Sequence, residues 1–172
     1  IPELREGQPI WLIGRALHCQ ADAPRYLSLP GVKPLLGWEE ASASPSVYLV
    51  EGPFDWLTLR QWGLPALALI GTHASADALE ALARFETVYL ALDNDDAGRK
   101  ATDTLVAALD GRAVPIGLEG VKDVADLAPQ PDGRERFLEM VRLSAAEKSL
   151  DVRTIREQGD VKMAYSVNRV EL

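Results

Sequence analysis

TVYLALDNDDAGRKA, residues 87–101, decides how the rest of the chain reads. Val88, Tyr89, Leu90, Ala91 and Leu92 make a continuous apolar run, suited to a strand buried on both faces of a parallel sheet. Asp93, Asn94, Asp95 and Asp96 follow without a spacer, then Gly98 and a helical pattern from Arg99 to Leu109. Three carboxylates at the end of a buried strand repel one another and are costly to desolvate. A cation or a network of donors has to sit among them, and a metal ion accounts for all three. Helix capping is the plainer reading. It accounts for Asp95 or Asp96 but not for the whole run.

Outward from this stretch the chain alternates strand and helix. Strands are expected at 47–51, 66–70, 88–92 and 113–117, and helices at 54–62, 75–85 (capped by Ser75) and 97–109. Such alternation predicts an α/β, Rossmann-like domain: a mostly parallel four-stranded sheet with right-handed crossovers, flanked by helices. A small β-containing piece precedes it. There, 1–7 reads as a polar lead-in and 9–17 as a strand in which Gly14 marks a bulge or close backbone approach. Residues 25–28 read as a short extended segment, 31–34 as a turn and 42–46 as a connector. Beyond the last strand come a loop and helical turn at 122–127, then an amphipathic helix at 132–148 with Phe137, Leu138, Val141 and Leu143 on its apolar side. A further helix is expected at 151–158, and 161–172 stay unassigned. The division is an N-terminal segment 1–45, a main domain 46–148 and a C-terminal extension 149–172.

Composition narrows the function. The 172 residues are 47% hydrophobic and 26% charged, ordinary for one soluble globular domain. A net charge of −8 argues against a general electrostatic grip on nucleic acid. Residues 1–38 nevertheless carry four Lys/Arg against three Asp/Glu, and a metal ion would reverse the local sign elsewhere. Cys19 is the single cysteine, which excludes an intramolecular disulfide and suits a reducing, cytoplasmic setting. No apolar run is long enough to cross a bilayer, so no membrane partner is expected, and the start at Ile1 suggests a fragment of something longer. No GxxxxGK[ST] motif is present, which excludes a P-loop motor. His18 beside Cys19 lacks the two further ligands that zinc needs. His73 reads as packed or solvated, and Trp11, Trp38, Trp56 and Trp62 as packing against the sheet.

In an open parallel sheet, ligands bind beyond the carboxyl ends of the strands. Two strands end in acid, one at Glu51, with Asp55 a turn further on, the other at Asp93 and Asp95. If those strands are neighbours, their acids converge. Oxygen donors with no His or Cys in support point to Mg²⁺ or Mn²⁺.

VYLVEGPFD (47–55) followed by VYLALDNDDAG (88–98) resembles the two signature motifs of the Toprim domain, a glutamate after one strand and Asp-x-Asp after another. LIGTHAS (69–75) is similar to the Gly-Thr turn of primases, and KDVADL (122–127) to their lysine-aspartate loop. IGRALHCQADAPRYLSLPG (13–31) resembles the segment just before Toprim in bacterial-type primase cores, with Arg25 where that family carries lysine. The resemblance spans residues 9–129. It implies that Glu51, Asp93 and Asp95 hold a divalent metal, with Asp55, Asp123 and Asp126 as outer partners. It implies phosphate contacts from Arg15, Arg25, Lys33 and Lys122, and base stacking by Tyr26; each basic residue also has the plain reading of a solvated surface charge. The activity implied is a primase-like nucleotidyltransferase that makes RNA primers from ribonucleoside triphosphates on single-stranded DNA, in DNA replication. A replicative helicase or missing parts of a longer parent chain are the expected partners. The zinc module and most of the basic subdomain of full primases are missing, which fits a fragment or an abbreviated relative from a phage or mobile element. Two alternatives stand beside it, a metal-dependent Toprim nuclease and a non-catalytic Toprim nucleic-acid-binding module.

Overall fold

The computed structural model describes residues 1–18 and 24–167, so residues 19–23, Cys19 among them, and 168–172 lie outside the described residues. The chain opens with an antiparallel sheet of β1 (Pro2–Arg5), β2 (Gln8–Arg15) and β3 (Tyr26–Ser28). The expected polar lead-in is therefore a strand. Its inward side chain is Glu3, 1% exposed, whose carboxylate accepts from the Gly37 amide at 2.5 Å and pairs with Arg5. An acid in an apolar slot hides the alternation by which a half-buried strand is read. Gly14 makes neither a bulge nor a close approach: its nearest potential neighbour is the Leu27 carbonyl at 3.8 Å, and the irregularity falls between Glu3 and Leu4.

A short helix α1 (Trp38–Ala41) leads into the main sheet. From there β4 (Ser46–Val50), α2 (Pro53–Gln61), β5 (Ala66–Ala68), α3 (Ala76–Leu82), β6 (Thr87–Leu90), α4 (Asp96–Ala108) and β7 (Ala113–Pro115) follow in strict alternation. All four strands are parallel, in the order β5-β4-β6-β7. β4 and β6 are direct neighbours, with Val47 opposite Val88 and Leu49 opposite Leu90.

Both faces of the sheet are covered, as parallel strands require. Val47, Leu49, Leu67, Val88 and Leu90 bury against Leu82 of α3 and Leu105 and Leu109 beside α4. Val50, Ala68 and Val114 bury on the other side with Trp56 and Leu59 of α2 and Phe137 further on. Fully burying such a side chain is worth about 1.5–3 kcal/mol, so packing holds the seven-residue α3, which alone is too short to persist in water. Trp11 and Ile13 of β2 join the second core, and Leu36 exchanges two backbone hydrogen bonds with Ala68 at 3.0 Å. The front piece is thereby seated on the end of the main sheet.

One helix, α5 (Gly133–Val167), replaces the two expected at 132–148 and 151–158. After Gly133 the sequence has no proline and a single glycine, Gly159, so nothing stops it. Its buried stripe runs through Phe137, which meets Tyr48 and Trp62 at ring distances of 5.5 and 5.9 Å, and Val141. Leu143, expected on that stripe, is exposed. Lys148 fills the corresponding place lower down, donating to the Gly111 and Ala113 carbonyls.

Candidate active site

The neighbouring β4 and β6 bring their carboxyl ends to one edge, and Glu51 and Asp93 emerge there. β6 stops at Leu90, and three residues later Asp93 opens the turn into α4. Asp95 is the N-cap of that helix, its carboxylate accepting from the Gly98 amide at 2.9 Å. Asp96 points to solvent and pairs with Arg99 at 2.6 Å. Capping thus claims Asp95, while Asp93 remains for other work. Gly98 is needed for the turn: a Cβ there would come within 2.0 Å of the Asp93 carbonyl oxygen.

Glu51 follows β4 and precedes the α2 start, where Pro53 occupies the first turn. Its Oε2 is buried and has no hydrogen-bond partner among the described residues. Burial, then the charges of Asp93 and Asp95, push the Glu51 carboxyl up to about 7. The Gly-Thr turn leans on the same point, because the Gly71 amide donates to the Glu51 carbonyl at 3.3 Å. Ile70 within it sits at φ 56, a strained conformation for a β-branched residue. Lys33 donates to the Ile70 carbonyl at 3.0 Å.

The loop 122–127 closes the other side. Lys122 places its Nζ 2.5 Å from Asp93 Oδ2 and 3.9 Å from Asp95 Oδ2. That hydrogen bond to Asp93 is the main reason the lysine is held above its ordinary value. Asp95 is held below its own, first by the Gly98 amide and then by Lys122. Asp55, buried on α2, accepts from the Ala125 amide at 2.9 Å, and its burial raises its carboxyl to about 6. Asp123 caps the 3₁₀ turn Val124–Leu127 by accepting from the Asp126 amide at 3.0 Å, and desolvation raises it. Asp126 accepts from the Lys122 amide at 3.0 Å. These three aspartates shape the loop that carries Lys122.

Among the described residues, no three His, Cys, Asp or Glu side chains are gathered about one point as a metal ion requires. The donor chemistry nevertheless fits a hard cation. Glu51 offers an unsatisfied buried oxygen, and Asp93 and Asp95 already share a positive charge, that of Lys122. Glu51, Asp93 and Asp95 are the residues that would hold it.

A cavity of about 320 Å³ links this edge to the front sheet, lined by Ile13, Tyr26, Ser28, Lys33, Glu51 and Ile70 among others. At its rim Arg15 lies over the Phe54 ring at 4.5 Å and the Tyr26 ring at 5.7 Å, and the two rings are 6.5 Å apart. Phe54 was not among the residues expected from sequence; its place between Glu51 and Asp55, on the first turn of a helix at a strand end, was the available signal. Arg25 is exposed at the start of β3, and His73 is exposed on the Gly-Thr turn.

A family model described as Toprim-like matches residues 48–128. Over 83% of this chain, the fold is similar to the zinc-binding and RNA polymerase domains of the Aquifex aeolicus primase, with 26% identity and a TM-score of 0.71. It is similar over the same share to a DnaG primase catalytic domain bound to single-stranded DNA, at 28% identity and a TM-score of 0.69. Residues 48–128 form a Toprim domain of the primase type. The chain spans 39% of the Aquifex primase chain and 50% of the DnaG chain. A sequence relative of this chain is the uncharacterized MG010 homolog of Mycoplasma pneumoniae, 43% identical over 63 residues, which cover 35% of this chain and 30% of that protein. The Glu51 and Asp93/Asp95 motifs both lie inside the matched residues.

Proposed function

We propose that this Toprim domain is the metal-holding half of a primase-like nucleotidyltransferase that joins ribonucleotides into RNA primers on a single-stranded DNA template. The observation that carries the reading is the orphaned Glu51 Oε2, buried at the edge where Asp93 and Asp95 emerge. An ionised acid in that state is relieved by a proton or by a cation, and at neutral pH and above a divalent ion supplies the charge that the neighbouring carboxylates lack. Mg²⁺ or Mn²⁺ held by Glu51, Asp93 and Asp95 would supply the charge that lowers the pKa of an attacking 3′-hydroxyl and neutralises a triphosphate. The chain's own residues supply position. Asp95, fixed as a helix cap, and Asp93, fixed by the Gly98 turn, present their oxygens from rigid backbone. Asp55 and Asp123 act from the loop side and are proposed as outer supports of the same ion.

Arg15, Arg25, Lys33 and Lys122 are proposed to meet phosphates, and Tyr26 to stack on a base. The cavity between Tyr26, Lys33 and Glu51 supports this for two of the five, Tyr26 and Lys33, because it joins a ring, an ammonium and the acid edge in one space. The parts of full primases that this chain does not span would then grip the template, with a replicative helicase as a further proposed partner. Incubation with single-stranded template, Mn²⁺ or Mg²⁺ and labelled ribonucleotides tests it. Template-dependent oligomers that vanish in Asp93→Asn are expected. Shortened template without oligomers would instead assign cleavage, and binding with neither product a non-catalytic module.

A further inference from the structure

Lys122 is attached to this site in an unusual way. Its backbone is pinned on both sides: the Asn94 amide donates to its carbonyl at 2.7 Å, and its own amide donates to Asp126 at 3.0 Å. The loop beyond is tied again by Ala125 to Asp55. Asn94 lies between the two acids that the lysine pairs with, so the anchor and the target are one turn of chain. The side chain, by contrast, is 58% exposed, so solvent lies open on its outer side, whereas Asp93 is only 14% exposed. A fixed base with a loose arm reaches the acid pair without needing any other part of the fold to move.

We infer that Lys122 is a built-in counter-ion, occupying the cation position between Asp93 and Asp95 until a divalent metal displaces it. This rests on the metal reading of the preceding section and adds the regulation of that site. A divalent ion brings twice the charge and can also satisfy Glu51, which the ammonium leaves without a partner. The lysine sets a threshold: metal must arrive in sufficient concentration to expel it, and meanwhile one ammonium offsets part of the charge of the Asp93/Asp95 pair. The released ammonium stays within a side-chain length of the ion, where a bound polyphosphate would find it.

Calorimetric titration of the whole chain with Mn²⁺ alone separates the two ideas. Lys122→Met keeps the stem and removes the charge, and is expected to bind Mn²⁺ about two- to five-fold tighter than wild type, the scale of a half-exposed ion pair that no longer has to be broken. Its metal-free melting temperature falls, and saturating Mn²⁺ restores it to the wild-type metal-bound value. Lys122→Arg, which keeps the charge, stays near wild type. Equal or weaker Mn²⁺ binding by Lys122→Met overturns the counter-ion role, and leaves the metal reading standing if Glu51→Gln weakens the wild-type binding. Mn²⁺ binding indifferent to Glu51→Gln, or none in either protein, overturns both.

Discussion

Glu51 concentrates the physics of this molecule at the scale of single residues. Its carboxyl is raised to about 7, chiefly by burial and then by Asp93 and Asp95, so its ionisation works against the metal-free fold. A carboxyl whose folded value lies above its ordinary 4.5 stabilises the fold most fully below pH 4.5, and that contribution is lost as pH rises through about 7. Glu51→Gln carries no charge at any pH. In the absence of divalent ions its melting temperature should exceed that of wild type, by a margin that widens between pH 5 and pH 8. A margin independent of pH would mean that Glu51 is not under charge stress. Lys122 and Phe54 show what sequence could not supply at this scale. The pairing of Lys122 with Asp93 spans 29 positions, and only the loop after β7 brings them together. The stacking of Arg15 on Phe54 joins β2 to α2 in the same way.

Among elements, the turn from β6 into α4 is the most constrained. Gly98 sits where a methyl group would overlap the Asp93 carbonyl at 2.0 Å, with backbone rather than a flexible side-chain end in the way. Gly98→Ala should cost about 1–3 kcal/mol in urea unfolding, and should displace Asp93 enough to lower metal affinity as well. An unchanged unfolding midpoint would show that the turn relaxes. The parallel strands and their helices were legible because SVYLV and TVYL are apolar on both faces and bounded by Gly, Ser and Asp. Ser75 was legible as a cap, and Asp95 or Asp96 as the cap of the next helix; Ser75 accepts from the Ala78 amide and Asp95 from the Gly98 amide. β1 was not legible because it turns Glu3 inward. The length of α5 was not legible either, because the weakening apolar pattern after residue 148 reads as an end while the backbone meets no breaker.

At the scale of the whole molecule, the charge is −8, yet the site is proposed to handle polyanions. The fold reconciles the two by seating the front sheet, through Ile13, Tyr26 and Ser28, and the Lys33 that follows it, around one cavity with Glu51. Four basic residues, Arg15, Arg25, Lys33 and Lys122, are proposed to reach phosphates. Single-stranded DNA binding by this chain in saturating Mg²⁺ should therefore lose affinity with a slope of about −3 in log K against log salt, measured by fluorescence anisotropy at constant free Mg²⁺. A slope twice as steep would place the grip on other surfaces. All of this depends on Glu51, Asp93 and Asp95 converging on one ion once Lys122 has moved aside. Crystals of the chain grown with MnCl₂ and read by anomalous scattering at the manganese edge test that directly. The account predicts a peak about 2.1 Å from oxygens of Glu51 and of Asp93 or Asp95, with the Lys122 ammonium withdrawn. A peak elsewhere, or none while Lys122 still holds Asp93, would contradict it.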